Sequence, residues 1–223
     1  MWCLQESPSA EFVCAMEDVL DVYARPYDAQ RPVLCMDETS KQMIQETRAP
    51  VPAAPGQPER ADHEYRRNGV ANIFMLGEPL TGRCQSEVTE RRTKTDWAHF
   101  IKQAVDVHYP EAEKIVLVMD NLNTHAKASL YEAFEPAEAK RIADKLDIHH
   151  TPKHASWLNV AEIMLRLLAG QCLDRRIGDF ATLVAEVDRW NQRHNRSAKP
   201  VDWQFTTDKA RIKLKRLYPL FHT

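Results

Sequence analysis

Glycine is scarce in this chain, at 6 of 223 residues, and none falls in a Gly-x-Gly-x-x-Gly or Gly-x-x-x-x-Gly-Lys pattern. Phosphate cradles of those two kinds need glycine where the backbone closes on the ligand, so both are excluded. Long apolar runs are missing too. Ile73 to Leu76 and Ile115 to Met119 are bounded by polar residues, far short of the about 18–20 residues that span a bilayer. No membrane partner is expected. The opening residues, Met-Trp-Cys-Leu-Gln-Glu-Ser, have neither the basic nor the apolar region of a secretory signal.

Five cysteines, Cys3, Cys14, Cys35, Cys84 and Cys172, are odd in number, scattered, and contain no Cys-x-x-Cys pair. That usage points away from a disulfide framework or zinc ribbon and toward a reducing cytosol. His-Glu-x-x-His is absent, and Pro152 interrupts the spacing of His150 and His154, which argues against zinc. No Gly-x-Ser-x-Gly elbow supports serine-based hydrolysis. Charge of one sign is not in excess: 30 basic residues face 32 acidic ones, for a net −2. The total by itself therefore gives no reason to expect a nucleic-acid partner. The distribution is uneven, with Lys209, Arg211, Lys213, Lys215 and Arg216 close together near the C-terminus.

What is present reads as an α/β chain. Phe12, Val13, Met16, Val19, Leu20 and Tyr23 recur at helical spacing over 11–24, and Arg25-Pro26 ends the helix. Residues 32–39 form an apolar run that turns acidic at Asp37, the profile of a buried strand. The prolines of 48–68 mark a long loop or insertion. Ala71–Leu76 and Cys84–Thr89 read as a hairpin, and Thr93 with Asp96 caps a helix bearing Trp97, Phe100 and Ile101. A second strand, 114–120, again ends in an acid. Helices over 127–146, broken near Pro136, a short strand at 147–151, a buried helix over 156–173, an amphipathic helix over 179–195 and a basic tail complete the order. Five strands in this order predict a mixed sheet flanked by helices. The division expected is a linker and helix at 1–30, a catalytic domain at 31–196 and a tail at 197–223.

Two strands of similar design that deliver Asp37 and Asp120 are the strongest chemical signal, since in open sheets the functional crevice lies at strand ends. Each aspartate alone is more commonly a turn residue; two carboxylates meeting at one point repel and need a cation such as magnesium. Glu162, in the apolar run Trp157-Leu-Asn-Val-Ala-Glu-Ile-Met-Leu, is the third candidate. It has an alternative: Asn159 followed three residues later by Glu162 is also a capping-box arrangement. Cys35, Trp97 and Trp190 read as core residues, and Trp203 as the anchor of the tail.

Met36-Asp-Glu-Thr, Val118-Met-Asp-Asn-Leu-Asn-Thr-His125 and Thr151-Pro-Lys-His-Ala-Ser-Trp-Leu-Asn-Val-Ala-Glu162 together resemble the catalytic domain of DDE transposases. The group resembled is the mariner-related bacterial insertion sequences (the insertion sequence 630 family), and the likeness runs from about Glu11 to about Tyr218. It implies an RNase H-like fold, two Mg2+ or Mn2+ ions, and DNA strand cleavage followed by strand transfer. Asp37, Asp120 and Glu162 match the three acids. Asn121, Asn123, His125 and Asn159 match neighbours that support them. Transposon-end and target DNA are the implied partners, with a homodimer as the assembly and a bacterial cytoplasm, at the nucleoid when DNA-bound, as the location. Arg91, Arg92, Lys94, Lys153, Lys213, Lys215 and Arg216 are candidates for phosphate contacts.

The chain departs from the group in beginning where a catalytic part would, without helix-turn-helix domains. Asp120 and Glu162 are also spaced more widely than is usual in the group. Met164 replaces an acid expected two residues after the glutamate. The alternatives are an inactive remnant that only binds nucleic acid, or an RNase H-class nuclease.

Overall fold

Ser9 opens the first helix by accepting a hydrogen bond from the Phe12 amide, and α1 (Ala10–Tyr23) buries Phe12, Val13, Met16, Val19, Leu20 and Tyr23 on one face. The computed structural model describes residues 7–48, 51–58, 63–122 and 125–219. Strands β1 (Val33–Glu46), β2 (Tyr65–Glu78), β3 (Arg83–Thr89), β4 (Ile115–Met119) and β5 (Leu146–His150) make one five-stranded sheet in the order β3-β2-β1-β4-β5. β1, β2 and β3 are an antiparallel meander, whereas β4 runs parallel to β1 and β5 parallel to β4. This is the mixed sheet that hairpins followed by helical crossovers produce.

Alternation along β1 divides the core. Leu34 and Met36 pack with Trp97, Phe100, Ile101, Leu130 and Ile142, which belong to α2 (Lys94–Gln103), α3 (Lys127–Ala133) and α4 (Pro136–Lys145). Val33 and Cys35 point the other way, into a cluster with α1 and with Ala210 of α7 (Thr207–Lys213). Farther along the sheet, Ile73 and Met75 meet Met164 and Leu168 of α5 (Ala161–Leu168) and Leu183 and Trp190 of α6 (Phe180–Arg196). The α2 capping box forms as expected: Asp96 N donates to Thr93 Oγ1, and Thr93 N donates to Asp96 Oδ2.

The edge of β3 is closed by two asparagines one helical turn apart on α6. Asn195 accepts from Cys84 N (2.9 Å) and donates to Cys84 O (2.7 Å), while Asn191 donates to Ser86 O (3.1 Å). Backbone groups that would otherwise template another strand are thereby satisfied. Residues 197–219 carry α7, which closes on α1. Arg211 pairs with Glu17 (2.8 Å), Ser9 N donates to Leu217 O (3.0 Å), and Trp203 stacks obliquely on Tyr23 with ring centroids 4.9 Å apart.

Three expectations are corrected. β1 continues to Glu46 and β2 starts at Tyr65, so residues 65–68 of the proline-rich insertion are strand. The polar run Thr39 to Gln42 conceals this, because ladder pairing uses backbone groups and a register shift between Gln42 and Ile44 interrupts the alternation. The single helix expected over 156–173 is a tight turn at Ser156–Leu158, then α5, then a wider turn at Ala169–Leu173. Helix α2 likewise ends in a widened turn, Ala104–His108.

Gly82, in the turn between β2 and β3, has φ +72°, and a Cβ there would stand 1.9 Å from the Lys199 carbonyl oxygen. Gly56 has φ +77° with open space around it. Gly56→Ala should therefore cost only the left-handed penalty of about 1 kcal/mol. Gly82→Ala adds overpacking to that strain and should cost roughly 2–4 kcal/mol. Urea unfolding midpoints of the two variants check the difference.

Candidate active site

The parallel pairing of β1 with β4 aligns Val33 with Val116, Leu34 with Leu117 and Cys35 with Val118. Two residues beyond the last of these pairs stand Asp37 and Asp120, at the level where the β1–β4 ladder stops. The antiparallel ladder with β2 carries β1 past this point, pairing Asp37 with Met75 and Glu38 with Phe74. β4 stops at Met119, so Asp120 is the first residue of the loop that follows.

Asp37 is half-buried, and its Oδ1 accepts from the Glu38 amide at 2.8 Å. Its carboxyl is pushed up to about 7, chiefly by burial and further by the charges of Glu38, Asp120 and Glu162, against the opposing effect of that amide bond. The charges of all three acids therefore act at one point. Among the described residues, no three His, Cys, Asp or Glu side chains already form a closed coordination set.

Asp120 is held by His125, whose Nδ1 lies 2.6 Å from Oδ1. The other ring nitrogen, Nε2, lies 3.2 Å from Glu38 Oε2. Burial by itself lowers the His125 pKa, but the hydrogen bonds and charges of Asp120 and Glu38 outweigh it and raise it to about 9. The Asp120 contact is a hydrogen bond, whereas the Glu38 contact is an ion pair in which Oε2 accepts no aligned hydrogen bond. Trp97 stacks on His125 at 6.1 Å and 25° between planes, and its Nε1 donates to Met36 Sδ at 3.2 Å. Trp97 is a core residue, as expected, and it also backs the site.

Asn159 fastens the start of α5 to the sheet. Its Nδ2 donates to Met36 O at 2.8 Å, next to Asp37, and its Oδ1 accepts from Ala161 N at 3.1 Å. The capping-box alternative for Glu162 is corrected here, because the Asn159 amide that the box requires already donates to Ser156 O at 2.7 Å. Glu162 is half-buried in the first turn of α5. Met164, the position where an acid was expected, is buried against Gly77 with Cγ 3.2 Å from where a Cβ would stand, so it packs on the sheet. Cys35 is a buried core thiol.

Asn121 is exposed and lines a cavity of about 250 Å3 with Ser9, Phe12, His150 and Lys153. Asn123 lies outside the described residues. Arg92 approaches Glu38 Oε1 at 3.6 Å, whereas Lys94 is engaged by Glu132 at 2.6 Å. Arg91 is exposed one residue before Arg92. Lys213 lies over the Phe205 ring, and Lys215 and Arg216 are exposed on the turn tied to Ser9, one edge of the same cavity. Glu38 and His150 were not singled out for the site. His150 Nδ1 lies 3.2 Å from the Asp120 carbonyl. For Glu38, a second acid directly after the strand-end aspartate was the available signal.

A mixed five-stranded sheet flanked by helices, with acids just beyond the pairing of two neighbouring parallel strands, defines an RNase H-like fold of the DDE transposase catalytic type. A family model described as DDE superfamily endonuclease matches residues 32–184, about two thirds of the chain, and the chain belongs to that family. The Mos1 mariner paired end complex with Mn is 15% identical with a TM-score of 0.56, over 90% of this chain and 59% of that one. The paired end complex with Mg gives 14% and 0.59, over 99% and 66%. The catalytic domain of Mos1 mariner transposase gives 9% and 0.56, over 89% and 85%. The chain spans about three fifths of the length of the first of these structures. No curated protein matches the sequence. Among the described residues no helix is long and apolar enough to cross a membrane.

The two shifted groups act on stability in the same direction. Asp37 holds its proton more tightly folded than unfolded, so stability declines as pH rises from its ordinary 3.8 through about 7. The contribution of His125 is fully present below its ordinary 6.5 and is lost as pH rises through about 9. In chelator-treated protein the urea midpoint should fall across this range, and Asp37→Asn should remove the lower limb.

Proposed function

We propose that this chain is the catalytic domain of a transposase of the mariner-related bacterial insertion-sequence group (the insertion sequence 630 family), cutting DNA strands and joining them to a target. The observation that carries this reading is the placement of Asp37 and Asp120 two residues beyond the last pair of the parallel β1–β4 ladder, with the charges of Asp120 and Glu162 acting on Asp37. Three carboxylates and no sulfur or imidazole donor suit Mg2+ or Mn2+. Burial chiefly, and the charges of Glu38, Asp120 and Glu162 in addition, lift the Asp37 carboxyl, and that charge is what a divalent cation would neutralise. Asp37, Asp120 and Glu162 would hold two such ions, and related structures were solved with Mn and with Mg.

When bound, the metals supply an activated oxygen nucleophile and stabilise the leaving oxygen of an in-line phosphoryl displacement. The chain's own residues do the positioning. Asn159 ties the start of α5 to Met36, next to Asp37, and Glu162 lies in the first turn of that helix. His125 holds one oxygen of Asp120. Lys153, Arg91, Arg92, Lys213, Lys215 and Arg216 lead the DNA backbone toward the strand ends, and Lys94 helps from its pair with Glu132. Transposon ends and target DNA are the substrates, a homodimer brings two ends together, and the protein works in the cytoplasm at the nucleoid. Residues 31–196 are the catalytic unit, between an N-terminal helical segment at 1–30 and a basic tail at 197–223.

Glu162→Gln tests the reading. The amide fills the same volume, and Glu162 serves no capping box, so the thermal midpoint should hold. Metal-dependent nicking of supercoiled plasmid should fall at least about 100-fold, because an amide contributes no charge to hold the cation. Nicking at the wild-type rate would remove Glu162 from the site. Preference for an RNA–DNA hybrid over duplex DNA in competition would instead favour an RNase H-class nuclease.

A further inference from the structure

The ladder between β1 and β4 ends at Cys35 and Val118, two residues before the aspartates it aligns. Asp37 remains braced, because β1 is paired to β2 there and well beyond. Asp120 has left its strand and leads into a loop. Its side chain is 36% exposed, and a carboxylate in that position would swing unless something other than the ladder held it.

A three-member chain of side chains crosses the gap where the ladder has stopped. Glu38 is rooted in the β1–β2 pairing opposite Phe74, and its side chain is 5% exposed. His125, 1% exposed, touches Glu38 Oε2 through Nε2 and Asp120 Oδ1 through Nδ1. The Trp97 ring lies along one face of the imidazole, and Trp97 is itself held to Met36 of the same strand. With a carboxylate at each nitrogen and an indole on one face, the imidazole cannot turn without breaking a contact. Asp120 Oδ1 is thereby referred to β1, the strand that carries Asp37, while Oδ2 is not engaged by His125. Glu38 lies on the face of β1 opposite Asp37, since neighbours on a strand alternate. It is therefore a brace behind the site and not a fourth acid within it.

We infer that Glu38 is a positioning residue which, through His125, fixes the Asp120 carboxylate at the distance from Asp37 that a shared divalent cation requires. The inference rests on the metal-dependent reading above. Removing an outer partner of a metal ligand typically costs about 10–100-fold in metal affinity or activity.

Mn2+ titration of the full chain, followed by electron paramagnetic resonance, needs no turnover. Glu38→Ala should weaken Mn2+ binding about 10–100-fold. Glu38→Gln should bind closer to the wild-type value than Glu38→Ala, because its amide still fills the space beside His125 Nε2. Should Glu38→Ala leave His125 unpaired and fail to fold, Glu38→Leu with His125→Phe replaces the buried pair by apolar groups, a change that interiors tolerate. It should show the same loss of affinity. Wild-type affinity in Glu38→Ala or in the double variant would overturn the inference while leaving the metal site intact. Glu38→Gln as weak as Asp120→Asn would overturn it by making Glu38 a ligand. Absence of Mn2+ binding by the wild-type chain would overturn the metal reading, and this inference with it.

Discussion

The site hangs on a short parallel pairing, three residues of β1 against three of β4. Parallel neighbours place equivalent residues at the same level of the sheet, so two apolar runs of like design that each lead into aspartate bring those aspartates together. An antiparallel pairing of the same segments would send them to opposite ends. The strand order β3-β2-β1-β4-β5 puts this pairing at the centre of the sheet, where helices cover both faces and the strands read as nearly continuous apolar runs.

Placing carboxylates side by side in a half-buried position is unfavourable, and the structure distributes that cost. Asp37 responds by holding its proton up to about pH 7. Asp120 and Glu38 share the cationic imidazole of His125, which is buried against Trp97. The two solutions occupy opposite faces of β1. Glu38, His125 and Trp97 lie on the side of Leu34 and Met36; Asp37 lies on the side of Val33 and Cys35. The Asp120 carboxylate, just past the end of β4, is bonded to His125 on one side and acts by its charge on Asp37 on the other.

The third acid comes by another route. α5 is anchored at its start by Asn159 to Met36 O and by Tyr23, whose hydroxyl donates to Leu158 O at 2.7 Å. Tyr23 ends α1, so the N-terminal helix also helps to place Glu162. α7 and the chain around Trp203 close over α1 in turn. The N- and C-terminal helices α1 and α7 thus bear on the site through packing, although they supply none of its acids.

Much of this was legible in the sequence because it is local. Apolar runs ending in acid marked β1 and β4, spacing of Trp97, Phe100 and Ile101 marked α2, and the capping pair Thr93 and Asp96 marked its start. The three motifs sufficed for the family resemblance, and they are where Asp37, Asp120 and Glu162 stand. Other features depend on partners distant along the chain, which no local pattern encodes. Polar residues 40–46 became strand because β2 lies beside them. The Asn159 amide turned to Ser156, which separated the cap from the ligand reading of Glu162. Glu38 gained its place from a histidine 87 residues later. The sequence by itself determined which groups could carry charge to a strand end. Tertiary structure decided which of them meet, because register, burial and the second partner of each side chain exist only once the strands are side by side.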